Sequence, residues 1–122
     1  MMRYTFQPYG PQHTLVIDAA GNQVGYMYND AAIVTVAMYE NLFRQNERRA
    51  NEFMYGYMLG VTHALLYQEH MPKCRIERDA GGVRAVMTDV VTGKEHVVSP
   101  NDPSGAPHAA AILNRAFGKK DN

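Results

Sequence analysis

The segment from Ala31 to Met71 constrains the fold more than any other part of the chain. In Ala31–Gln45, apolar residues at Ile33, Val34, Ala37, Met38 and Leu42 recur at helical spacing. Asn29 or Asp30 stands where a side chain would accept a hydrogen bond from an unpaired first-turn amide. The run Ile33–Val34–Thr35–Val36 is β-branched, which leaves a strand as the alternative over that stretch. Asn46 is the natural break. Either it caps a second helix running from Glu47 to Met71, or one long helix bends there. Pro72 stops the block, because the residue before a proline is pushed out of the helical region.

The flanks read as β-structure. "TLVID" and "QVGYMY" sit on either side of "AAGN", where Gly21 and Asn22 tolerate the positive φ of a hairpin loop. Tyr4–Gln7 is a candidate additional strand before Pro8 and Pro11. After Pro72, "CRIERD", "VRAVMTDVV" and "KEHVVS" form a three-stranded meander with turns at Ala80–Gly82 and Thr92–Gly93. Asp18, Asp79 and Asp89 precede turn glycines and can bond their own downstream amides. The loop "PNDPSGAP" leads into a short helix, His108–Phe117, whose apolar residues share one face, with Gly118 at its expected C-cap. The expected fold is α+β. A largely antiparallel sheet, made of an N-terminal hairpin and a three-stranded C-terminal meander, packs on two central helices and a short C-terminal helix. Residues 1–122 form a single domain, with 119–122 as a frayed tail.

Within the second central helix, Gly56, Gly60 and Ala64 fall on one stripe bordered by Phe53, His63 and Tyr67. Each glycine costs a helix interior about 1 kcal/mol relative to alanine, so the stripe calls for a compensating contact. Such a groove admits a neighbouring helix at close range. The neighbour is Ala31–Gln45 of the same chain, or the same helix of a second copy, which would make a two-fold homodimer; the remaining alternative is that the glycines leave access for a ligand.

Other constellations are weaker. His63 and His70 lie seven apart, a spacing that does not suit helical metal ligands, and no H-E-x-x-H occurs; no metal and no cofactor are expected. Cys74, the only cysteine, lies four residues after His70 and could pair with it as a thiolate. Nothing else in the sequence specifies an orienting group. Glu40 with Arg44, and Arg48 with Glu52, are i,i+4 pairs expected on a solvated helix face. Arg44, Arg48 and Arg49 together form the densest basic cluster, an arginine surface for an acidic partner or phosphates. Eight tyrosines and eight methionines are unusual for this length and serve either as core filler or as a contact surface.

Twelve basic and twelve acidic residues cancel, which argues against nucleic acid or an anionic membrane as the partner. The longest uncharged run, Phe53–Gln68, has sixteen residues, too few and too polar to span a bilayer. The absence of a signal-type N-terminus and of paired cysteines points to the cytoplasm. No phosphate-loop, dinucleotide or nucleophile-elbow motif is present. The expected function is therefore a small non-enzymatic protein-binding module of accessory or inhibitor type. Its expected partner-binding residues are Gly56, Gly60, His63, Tyr67, Arg44, Arg48 and Arg49. The alternatives are a small enzyme or ligand-binding protein with a pocket near His63 and Tyr67, and a nucleic-acid binder using the arginine cluster.

Overall fold

A computed structural model describes residues 2–59, 73–80, 82–88, 92–100 and 106–118. The elements run β1 (Thr5–Tyr9), β2 (His13–Ile17), β3 (Gln23–Tyr28), α1 (Asn29–Gln45), α2 (Glu47–Leu59), β4 (Lys73–Asp79), β5 (Gly82–Thr88), β6 (Glu95–Val98) and α3 (Pro107–Phe117). The class is α+β. The strands form two antiparallel three-stranded sheets, β1-β2-β3 and β4-β5-β6. Among the described residues no strand of one sheet pairs with a strand of the other, and helices join them. α1 packs on β2 and β3, α3 packs on β5, and α1 packs on both α2 and α3. The shared core takes Val16 and Met27 from the first sheet and Ala85 and Val98 from the second. Ile33, Val36 and Tyr39 of α1 and Ile112 and Leu113 of α3 lie between them.

Local chemistry explains the boundaries. In the first hairpin, the Asp18 Oδ1 accepts hydrogen bonds from the amides of Ala20 and Asn22, both at 2.9 Å. Gly21 there adopts φ 85°, a conformation costly for any residue with a Cβ. The β-branched run Ile33–Val36 is helical, because its side chains are needed on the buried face of α1. Asn46 separates α1 from α2. Its backbone is extended, its amide donates to the Leu42 carbonyl, and its Oδ1 accepts from the Arg49 amide at 3.1 Å. One asparagine thus closes the first helix and caps the second.

The start of α1 differs from the sequence expectation. Asn29 is buried and does not cap the helix. Its Oδ1 accepts from the Thr14 hydroxyl at 2.8 Å, and its backbone amide donates to the Gln12 carbonyl. Thr14 in turn accepts from the Arg115 guanidinium at 2.9 Å, which ties the end of α3 to the first sheet. Asp30 accepts from the next amide, that of Ala31.

Glu40 also departs from expectation. Instead of pairing on the surface with Arg44 it turns inward and is 4% exposed. Its Oε1 accepts from the Ala109 amide at 2.8 Å, and its Oε2 accepts from the His108 amide at 3.1 Å. The His108 Nδ1 also meets Oε2 at 3.1 Å. α3 begins with Pro107, which suits a first helical position, but the preceding Ala106 has no side-chain acceptor. The unpaired amides of its first turn are therefore satisfied by a carboxylate sixty-eight residues away in sequence. The negative charge also suits the positive end of the helix. At the other end of α3, Gly118 is extended and not left-handed. A Cβ there would collide with the Asn114 carbonyl, so close approach explains the glycine.

Glu40→Ala should destabilise the fold by about 2–3 kcal/mol, since it leaves two first-turn amides without an acceptor. Glu40→Gln should lose about half of that. Urea denaturation checks both, and equal stability of all three proteins would refute the capping role. Thr35 presents the opposite case: its hydroxyl is buried in α1 with no hydrogen-bond partner among the described residues. Thr35→Val should be neutral or stabilise by about 1 kcal/mol, because a near-isosteric methyl removes an unsatisfied group. The same denaturation curves report it.

Candidate functional site

The pleat of the first sheet sorts its residues by face. Thr14, Val16 and Met27 point at the helices and are buried. The other face carries the cross-strand rows Tyr9–His13–Tyr28 and Gln7–Leu15–Tyr26. Tyr9, Tyr26 and Tyr28 are 50%, 60% and 63% exposed. His13 sits among them, with ring centroids 4.5 Å from Tyr28, 5.3 Å from Tyr26 and 6.4 Å from Tyr9. Tyr9 and Tyr26 are 5.6 Å apart. These spacings fall in the range of favourable aromatic pairs. The four rings form one continuous tile on a hydrogen-bonded sheet. Leu15 lies on the same face yet is only 8% exposed, so the tile has an apolar base. Neither row contains Asp, Glu, Lys or Arg.

The sequence carried a signal for this face. Tyr26 and Tyr28 stand at strand spacing, and a tight three-stranded meander brings Tyr9 and His13 beside them. Composition alone suggests core filler, and Tyr4 and Tyr39 do behave that way. Both are buried, and burial pushes both phenols above their ordinary values. The Tyr39 hydroxyl donates to the Asn51 Oδ1 and accepts from the Arg3 amide.

The residues singled out in the sequence are distributed as follows. Gly56 is buried inside the chain, on α2. Gly60, His63, Tyr67 and His70 lie outside the described residues. Met58, still within α2, places its methyl against the backbone of Gly25 in β3, where a Cβ would meet it. Arg48 pairs with Glu52 at 3.1 Å on the exposed side of α2, as its spacing predicts. It borders a broad open concavity of about 1080 Å³ together with Arg3, Tyr4, Asn46 and Tyr55. Arg49 is exposed beside it. Arg44 projects elsewhere, bonded to the Asn41 Oδ1 at 3.0 Å in a second cleft. The basic cluster is therefore divided between two surfaces.

Cys74 lies half-buried on β4, and burial pushes its thiol pKa up, with the Asp30 charge adding in the same direction. That is the reverse of what an activated thiolate requires. Among the described residues no group of three or more His, Cys, Asp or Glu side chains is placed to hold a metal ion. Among them, too, no helix is long and apolar enough to cross a membrane. Comparison of the chain with family models, curated proteins and solved structures finds no match.

Cys74 should react with iodoacetamide more slowly in the folded protein than in the urea-unfolded chain at the same pH. Because its folded pKa is raised, the unfolded chain loses the thiol proton first. Its contribution to stability is intact below the ordinary thiol range and declines as pH rises through the raised value. Cys74→Ser, compared with the parent by denaturation at neutral and alkaline pH, reads that slope. A folded-state alkylation rate equal to the unfolded one would contradict the burial.

Proposed function

We propose that the chain is a non-enzymatic protein-binding module of accessory or inhibitor type, and that it contacts its partner through the face formed by Tyr9, His13, Tyr26 and Tyr28. The observation that carries this reading is the joint exposure of three tyrosines around one histidine on a sheet whose other face is anchored in the core. Tyrosine is favoured at contact hot spots because it offers a large, stiff, amphipathic surface with few torsions to freeze. Held on paired strands, these rings are already arranged before a partner arrives, which lowers the ordering penalty of binding.

The chemistry of the face narrows the partner. Its rows carry no Asp, Glu, Lys or Arg, so a neutral segment matches better than an acidic or basic one. Three tyrosines exposed by half or more leave on the order of 300 Å² of aromatic surface in water. That is the scale of a functional patch on a monomer and well below the roughly 800 Å² per side of a stable globular interface. An extended, uncharged segment rich in proline or aliphatic residues suits both limits. Pairing of two copies through the central helix forms no part of this reading: Gly56 is buried, and Gly60 and Ala64 lie outside the described residues.

The test is selection of displayed random peptides on the purified protein. Uncharged proline- or aliphatic-rich sequences are expected to be enriched. They should lose about tenfold or more in affinity against the Tyr26→Ala/Tyr28→Ala variant. Both substitutions are at exposed positions, so the melting temperature should hardly move. Enrichment of charged sequences, or peptides that bind the variant equally well, would refute the assignment. Sedimentation equilibrium should report a monomer.

A further inference from the structure

The second cleft has a chemistry unlike that of the aromatic face. It opens between α1 and the edge strand β6 and has a volume of about 320 Å³, room for about ten water-sized groups. Its floor is apolar: Ala37 and Met38 of α1, Met87 of β5, and Ala106. Its rim carries Asn41 and Arg44 from α1 and Lys94 and His96 from the approach to β6 and β6 itself. Strand register explains the presence of His96. It pairs with Met87, so both side chains project to the same face of the sheet. The neighbouring Glu95 projects to the opposite face, where its Oε2 accepts from the Arg75 guanidinium at 3.2 Å. Among the described residues Glu95 is the one acid that lines the cleft, and its carboxylate is thus paired on the far face of the sheet.

Among the described residues the cations have no such partner. The Arg44 guanidinium is bonded to the neutral Asn41 amide oxygen. Among the described residues no carboxylate pairs with Arg44, Lys94 or His96. In a chain of zero formal charge, two fixed positive groups and a ring nitrogen donor therefore surround a small apolar floor. Pockets for small molecules are built this way, from an apolar lining and a few convergent polar groups. Arginine offers a planar fork that takes both oxygens of a carboxylate or phosphate, and lysine adds a mobile point charge.

We propose that this cleft binds a small amphipathic anion. Arg44 and Lys94 hold its carboxylate or phosphate, His96 donates a further hydrogen bond, and its hydrocarbon body lies on Met38 and Met87. The site is independent of the aromatic face and of the protein partner assigned to it.

The experiment uses the whole protein with its methionine methyl groups isotopically labelled. Octanoate, octyl phosphate, inorganic phosphate and octylamine are titrated separately, followed by methyl NMR and by calorimetry. Octanoate or octyl phosphate should bind saturably and shift the Met38 and Met87 methyls while leaving Met54 in place. The one that binds more tightly identifies the headgroup. Inorganic phosphate should bind more weakly than octyl phosphate, and octylamine should not bind. Arg44→Ala and Lys94→Ala should each weaken the anion by about tenfold, with an unchanged methyl spectrum in the absence of ligand. The proposal fails if neither amphipathic anion saturates at millimolar concentration, or if octylamine binds as well as octanoate. It fails equally if inorganic phosphate matches octyl phosphate, or if the two variants bind like the parent.

Discussion

The structure depends on one buried carboxylate. Glu40 sits in the middle of the molecule's longest described helix and completes the first turn of α3, which lacks an acceptor of its own. Without it, burying the start of α3 would leave backbone donors unpaired, a penalty few helices of eleven residues can tolerate. The adjacent residue does similar work in another direction. Tyr39 bonds Asn51 of α2 and the amide of Arg3, and its ring meets Tyr4, Phe6 and Phe43 edge-on. Phe6 also lies edge-on to His108, whose Nδ1 contacts Glu40. Two successive positions of α1 therefore join the N-terminal strand, the second helix and the last helix at one junction. The two sheets can then stand apart and still share a core.

Much of this architecture could be read from residue order, for reasons tied to short-range chemistry. Asp18 before Gly21 fixed a hairpin, Asn46 marked a helix junction, and the apolar spacing from Ile33 to Leu42 marked a buried face. Those signals act within a few residues and need no knowledge of distant partners. Glu40 could not be read in this way. Its spacing to Arg44 is that of a surface pair, and only the three-dimensional placement of α3 makes the carboxylate worth burying. Asn29 is a parallel case: a good capping residue was claimed by Thr14 once β2 lay beside it.

The candidate surfaces were legible in part. Alternation along β3 placed Tyr26 and Tyr28 on one face, but choosing which face meets water requires the positions of the helices. Arg44, Arg48 and Arg49 are contiguous in sequence, yet the break at Asn46 turns the chain and sends Arg44 to a different surface. The outer face of the second sheet makes the contrast clear. There Arg75, Glu77, Arg84 and Glu95 pair among themselves in solvent. Hydrogen bonds from Arg75 and then Arg84 hold the Glu77 carboxyl below its ordinary range. Such exposed pairs add little to stability. Zero net charge thus conceals three distinct regions: a neutral aromatic face, a face with a row of exposed ion pairs, and a cleft whose cations meet no carboxylate among the described residues.

Two short sheets in place of one wide sheet have a further consequence, because each ends in two lateral strands whose outward backbone groups have no strand neighbour among the described residues. Three of the four flanks are guarded. β1 carries Pro8, β4 carries Lys73, Arg75, Glu77 and Arg78, and β6 is only four residues long. β3 has none of these protections: "QVGYMY" contains neither charge nor proline. If the chain were weakened or crowded, foreign polypeptide would begin to add as an extra rung along this margin. The same uncharged tyrosine-bearing strand that presents a recognition surface would then be the seed of self-templated growth.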